Sequence, residues 1–194
     1  MAALRTLKLK ELVQKEVNGN YVDLVTRGVG RVIFAKLESE LKKISQGEVL
    51  LIDFSGIGAI DYSCADEIFA RLISRLQLNE YGEKYVALKN LSSGHKENIQ
   101  IVLEKKDLAV LLRQRGGWAI LGALDDYLLQ TLKVIMKEGH LSSSELSERF
   151  DLALNTASMR LSNLSKLRLV KKKSAKNTFG KRCFIYNSLL EAKS

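Results

Sequence analysis

Apolar positions along the chain follow two rhythms that change over near residue 123. In the first part, short apolar runs alternate with stretches whose apolar residues recur every three or four positions. Val49-Leu50-Leu51-Ile52 is the continuous run that a strand covered on both faces requires, so Glu48 to Phe54 is predicted as a central strand. Lys84 to Leu88 is a further strand, and Leu108 to Leu112 and Trp118 to Leu121 flank Arg115-Gly116-Gly117 as a strand-turn-strand hairpin. Thr6 to Val13 reads as a short strand with Leu7, Leu9 and, after a slip, Leu12 and Val13 apolar. The Asn-Gly signal in Val17-Asn18-Gly19-Asn20-Tyr21 predicts a loop or hairpin. Helical spacing runs from Gly30 to Ile44 through Val32, Ile33, Leu37 and Leu41, with Gly47 ending it. It returns from about Cys64 to Leu76 through Ile68, Phe69, Leu72 and Ile73, with Ser63 and Asp66 at capping-box spacing, and again from Ser92 or Ser93 to about Leu103. The alternation predicts an α/β (α+β) mixed sheet with packed helices over residues 1–122.

The second part has a helical texture. Leu124 to Glu138 is amphipathic, with Asp125 and Asp126 in its first turn, Leu128, Leu132 and Ile135 on one face and Gly139 beyond its end. A shorter helix spans Ser143 to Phe150, with Ser142 and Glu145 as a capping box and Leu146 inward. Asp151 to Leu154 forms a turn, and a third helix runs from about Asn155 to Leu167. Leu169 to Ser174 and Arg182 to Tyr186 are strands around Asn177-Thr178-Phe179-Gly180-Lys181. Three helices followed by a two-stranded ribbon predict a winged helix-turn-helix over residues 123–194, and no linker-like stretch separates it from the first domain.

Charge sharpens this picture. From Leu152 to Ser194 ten lysines and arginines face one acid, Glu191, so this segment carries the whole net charge of +9 and residues 1–151 balance to zero. A field concentrated at one end of a balanced chain calls for an anionic partner, of which DNA is the commonest. Composition, at 46% apolar and 27% charged, is that of a globular protein able to bury a core in each part. Without a long apolar run or signal-peptide pattern, the chain is expected to be cytoplasmic, with no membrane partner. Cys64 and Cys183 belong to no CxxC pair, and His95 and His140 are isolated, so no metal or cofactor is expected. Cys64 lacks a basic neighbour and reads as a buried structural cysteine, and the glycines match no phosphate-binding motif.

On the third helix, Ala157, Leu161 and Leu164 recur on one side, which leaves Asn155, Thr156, Ser158, Met159, Ser162, Asn163 and Lys166 for a polar, acid-free face. Such a face can approach DNA: Asn pairs with adenine, Ser and Thr reach bases or phosphates, and Met159 suits a thymine methyl. Arg160 flanks the face as a phosphate grip. Lys171, Lys172, Lys173, Lys176, Lys181 and Arg182 on the ribbon suit the adjacent backbone or the minor groove. The blander readings are a lysine-rich hairpin that protects its own strand edges and a helix-turn-helix that only docks proteins.

The C-terminal segment resembles bacterial winged-helix regulators through Leu146-Ser-Glu-Arg-Phe150, Asn155-Thr-Ala-Ser-Met159 and Leu161-Ser-Asn-Leu164 leading to Leu169-Val170. Those proteins often place Gly before the position of Leu169, where this chain has Arg168. A left-handed Arg168 would cost on the order of 1 kcal/mol, which predicts a different helix ending. The N-terminal half resembles STAS-like domains, relatives of anti-sigma factor antagonists. The likeness is carried by Thr26-Arg-Gly-Val-Gly-Arg31, Val49-Leu-Leu-Ile-Asp-Phe-Ser-Gly-Ile57, Ile60-Asp-Tyr-Ser-Cys-Ala-Asp-Glu-Ile-Phe69 and Gly117-Trp-Ala-Ile-Leu-Gly122. Antagonists carry a phosphorylatable serine directly after an Asp; here Tyr62 follows Asp61 and Ser63 comes one later. The resemblance implies a regulatory or protein-partner site at Asp61, Tyr62, Ser63 and Asp66. Together these readings predict a prokaryotic, homodimeric transcription regulator that binds double-stranded DNA and receives a signal or protein partner through its first domain. The alternative is a partner-switching module without DNA binding. No acid-base pair or activated nucleophile stands out, so no enzyme activity and no catalytic residue are expected.

Overall fold

Leu4–Lys8 forms strand β1, and the helix α1, Leu9–Glu16, follows it without a break. The strand expected over Thr6 to Val13 is thus half strand and half helix. Leu9, Leu12 and Val13 are buried at spacings of three and four, so the slip in the alternation was the helical period. A computed structural model describes residues 3–16, 22–176, 180 and 182–190; the expected turn at Val17 to Asn20 lies outside them, as does Tyr21. The chain divides into two compact units, Ala2–Ala123 and Leu124–Ser194.

The first unit continues with α2 (Arg27–Lys43), β2 (Val49–Asp53), α3 (Tyr62–Ala65), a π-helical turn (Asp66–Ala70), α4 (Arg71–Gln77), β3 (Tyr85–Lys89), α5 (Ser93–Glu104), β4 (Ala109–Gln114) and β5 (Gly117–Gly122). Its sheet has the order β1-β2-β3-β4-β5, with β1 to β4 parallel and β5 returning antiparallel as the hairpin expected around Arg115-Gly116-Gly117. Each parallel crossover advances in one direction, and right-handed connection then lays the helices on one face. Leu50 and Ile52 of β2, Val86 and Leu88 of β3, and Val110 and Leu112 of β4 join the helices' apolar stripes in one core. All five residues of β2 are buried, its four apolar residues and Asp53 alike. On α2, Ile33, Leu37 and Leu41 face this core, whereas Val32 is 45% exposed.

Two glycines hold close approaches. A Cβ on Gly30 of α2 would come within 2.9 Å of the Glu67 Cβ, so the absent side chain lets α2 lie tightly against the π turn. Gly122 has φ 98°, and a Cβ there would meet the Leu108 carbonyl oxygen at 2.0 Å.

The second unit comprises α6 (Asp126–Glu138), β6 (His140–Ser142), α7 (Ser143–Phe150), α8 (Leu154–Lys166), β7 (Val170–Lys176) and β8 (Arg182–Ser188). Its core holds Leu128, Leu132 and Ile135 from α6, Leu146 from α7, and Ala157, Leu161 and Leu164 from α8. The ribbon is wider than expected, because β6 adds a third strand in the order β6-β8-β7. Both halves of the capping box form at α7: the Ser142 hydroxyl accepts from the Glu145 amide, and the Glu145 carboxylate accepts from the Ser142 amide at 2.7 Å. This hydrogen bonding holds the Glu145 carboxyl below its usual range.

Arg168 takes the left-handed conformation, φ 60°, that its side chain had argued against. Two hydrogen bonds enforce it: the Leu169 amide donates to the Leu164 carbonyl, and the Arg168 amide to that of Ser165. This is a Schellman ending with Arg where Gly is usual, so the helix closes normally and carries the conformational cost.

Candidate nucleic-acid interface

Asn155, Met159, Ser162 and Lys166 stand at spacings of four, three and four along α8, opposite the buried stripe of Ala157, Leu161 and Leu164. Asn155, Met159 and Lys166 are exposed, and Thr156, Ser158, Ser162 and Asn163 are half-buried on either side. The structure therefore gathers all seven on one surface. Arg160 differs: it lies toward the edge of the buried stripe, and its guanidinium sits 5.2 Å from the centre of the Tyr127 ring on α6. An aromatic face holds a guanidinium there by its quadrupole. Tyr127 was not among the expected site residues, since its role depends on the packing of α6 beside α8.

Register divides the ribbon into two faces. Val170, Lys172, Ser174 and Lys176 pair with Ser188, Tyr186, Phe184 and Arg182, and cross-strand partners share a face. At the root of this face Val170, Tyr186 and the paired Leu141 are buried, so it is the face that the helices cover. Farther out it carries Lys172, Lys176 and Arg182 around Phe184, which is 39% exposed. The Lys172 ammonium lies 3.9 Å and the Arg182 guanidinium 5.6 Å from the centre of that ring, and Arg182 Nε donates to the Ser174 hydroxyl at 3.1 Å. Lys171 and Lys173 stand on the opposite face, beside Asn187 and Ile185. The cations thus border both sides of the ribbon. Lys181 and the loop residues Asn177 to Phe179 lie outside the described residues.

In the first unit, Asp61, Tyr62 and Ser63 stand at the start of α3, and Asp66 opens the π turn that follows it. Asp61, not Ser63, is the cap: its Oδ1 accepts from the Cys64 amide at 2.7 Å. Its Oδ2 accepts from the Thr26 amide at 2.8 Å, so one carboxylate joins the starts of α2 and α3. Thr26 needs that anchor, since it holds φ 75° while its own hydroxyl caps α2. Ser63 lies inside the first turn, half-buried, and the Tyr62 ring lies 5.0 Å from the Lys105 ammonium. Asp66 pairs with Lys106 at 2.5 Å and Arg27 at 3.6 Å. Burial, aided by Asp61 and Glu67, pushes the Cys64 thiol up to about 12, which leaves it unreactive. His95 is buried; its Nδ1 accepts from the Ser92 amide and its Nε2 meets the Gly58 carbonyl, so it clamps the loop before α3. Among the described residues no cluster of His, Cys, Asp and Glu could hold a metal ion, and no helix is long and apolar enough to cross a membrane.

No curated protein matches the chain. Residues 124–171, which span α6 to the start of β7, match the family model for winged helix-turn-helix DNA-binding and so carry a domain of that kind.

Proposed function

We propose that the protein is a transcription regulator that lays α8 in the major groove of double-stranded DNA and grips the flanking backbone with the β7–β8 ribbon. The carrying observation is the joining of an acid-free helix face, Asn155 to Lys166, which lies inside the segment 124–171 that matches a DNA-binding family, to a ribbon that continues directly from that segment and bears Lys171, Lys172, Lys173, Lys176 and Arg182. Paired half-sites on DNA favour a homodimer. The first unit is read as a STAS-like domain that takes a regulatory signal or a protein partner at Asp61, Tyr62, Ser63 and Asp66. Phosphate added at Ser63 would set a second anion beside Asp61 and act as a release signal there. No enzyme activity is assigned, and the working compartment is the bacterial cytoplasm.

Anisotropy titration of the full chain against random genomic duplexes at two salt concentrations tests this reading. About five phosphate contacts give a log-log salt slope of roughly −4 to −5. Replacement of Lys171, Lys172 and Lys173 by Ala should flatten the slope by up to about 3. Absence of binding at low salt would refute DNA recognition.

A further inference from the structure

Resting on that reading, we infer that α8 selects A·T base pairs and draws its preference from the 5-methyl group of thymine through Met159. Direct readout of guanine relies on Arg or Lys reaching its O6 and N7. The one guanidinium on α8, Arg160, is drawn aside over Tyr127. Lys166 stands on the reading line but is the last residue of the helix, whereas base edges are met by the N-terminal part of a recognition helix. The exposed line of that part carries Asn155, whose amide matches adenine N6 and N7, and Met159 one turn later, with Thr156 and Ser158 half-buried at its sides.

Met159 is 60% exposed, more than Tyr127, Leu154 or Phe184 in the same unit. A flexible thioether held in water beside small polar neighbours is poorly placed for a core and well placed to close on a methyl group. The ribbon points the same way. Lys172 and Arg182 are gathered about Phe184, and clustered cations favour the narrow, strongly negative minor groove of A-tracts.

The test compares three duplexes of equal length by anisotropy: one of random A·T sequence, the same with every thymine replaced by uracil, and one of random G·C sequence. Uracil pairs as thymine does and lacks only the methyl. The full chain should bind the thymine duplex about fivefold or more tighter than either of the others. Met159→Ala should bind thymine and uracil duplexes equally while keeping the wild-type salt slope, with circular dichroism showing that it folds. Equal wild-type affinity for thymine and uracil duplexes, or tighter binding of G·C, overturns the inference and leaves DNA binding standing. Methyl discrimination that survives in Met159→Ala overturns the assignment to this residue. Failure to bind any duplex at low salt overturns both readings.

Discussion

Asp53 ends a strand whose other four residues are apolar, and it is itself only 7% exposed. Burial pushes its carboxyl up, yet the Ser55 amide and hydroxyl, the Asn90 side chain and Lys89 together outweigh that and hold it well below the usual carboxylate range. The donors stand close, with the Ser55 amide at 2.9 Å, the Asn90 amide at 2.8 Å and the Lys89 ammonium at 3.0 Å. A carboxyl depressed in the folded state adds stability above its unfolded value near 4, and that stability fades as pH falls through the folded value. Asp53→Asn turns an amide NH2 toward these donors. It should cost about 1–3 kcal/mol at pH 7 in urea melts, and its deficit against wild type should shrink steadily below about pH 4. None of this was legible in the sequence, where Asp53 is simply the residue after an apolar run; Asn90 reaches it only because β2 and β3 lie side by side. At α3 two local caps compete, because Asp61 and Cys64 have N-cap spacing just as Ser63 and Asp66 have capping-box spacing, and a distant contact sides with Asp61. The Thr26 amide, 35 residues away, also bonds the Asp61 carboxylate, and local spacing could not show that.

At the scale of elements, the capping box of α7 was readable because both partners lie within four residues of each other. Ser142→Ala removes the acceptor for the Glu145 amide and should lower stability by about 1 kcal/mol in a denaturant titration. Asp151, exposed at the other end of α7 with φ 49°, pulls in the opposite direction: Asp151→Gly relieves a left-handed side chain and removes an acid from a helix C-terminus. It should raise the melting midpoint, by about 0.5–1 kcal/mol of stability. The longer helices and the buried strand were legible because their periods run over many residues. Strand β6 was not: three residues carry too little alternation, and they become a strand only by pairing with β8, more than forty positions later. The β1–α1 junction failed for want of length as well. Two turns of helix directly after five strand residues leave no glycine, proline or capping serine to mark the change.

Across the whole molecule, the uneven charge is legible in the sequence alone, because it depends only on order along the chain. Which cations share a face is not, since strand register decides that. Affinity and selectivity should therefore separate. Lys173→Ala should weaken binding to all duplexes alike and reduce the salt slope by about 1, whereas Asn155→Ala should cost about 1–3 kcal/mol at a preferred site and less elsewhere. Parallel titrations on preferred and scrambled duplexes would check both, and an equal loss on every duplex for Asn155→Ala would count against base reading by α8.

The left-handed Arg168 bears on this division of labour. Helix α8 ends at Lys166 and β7 opens at Val170, so three residues join the helix proposed to read bases to the ribbon proposed to grip the backbone. With the turn locked by the Leu169 and Arg168 amides, ribbon and helix are geared together rather than hinged. On the proposed reading, one residue inserted here would unlock this turn and put the ribbon out of phase with the helix on DNA. At this junction length is a stricter requirement than side-chain identity, and an arginine can stand where a glycine would be easier.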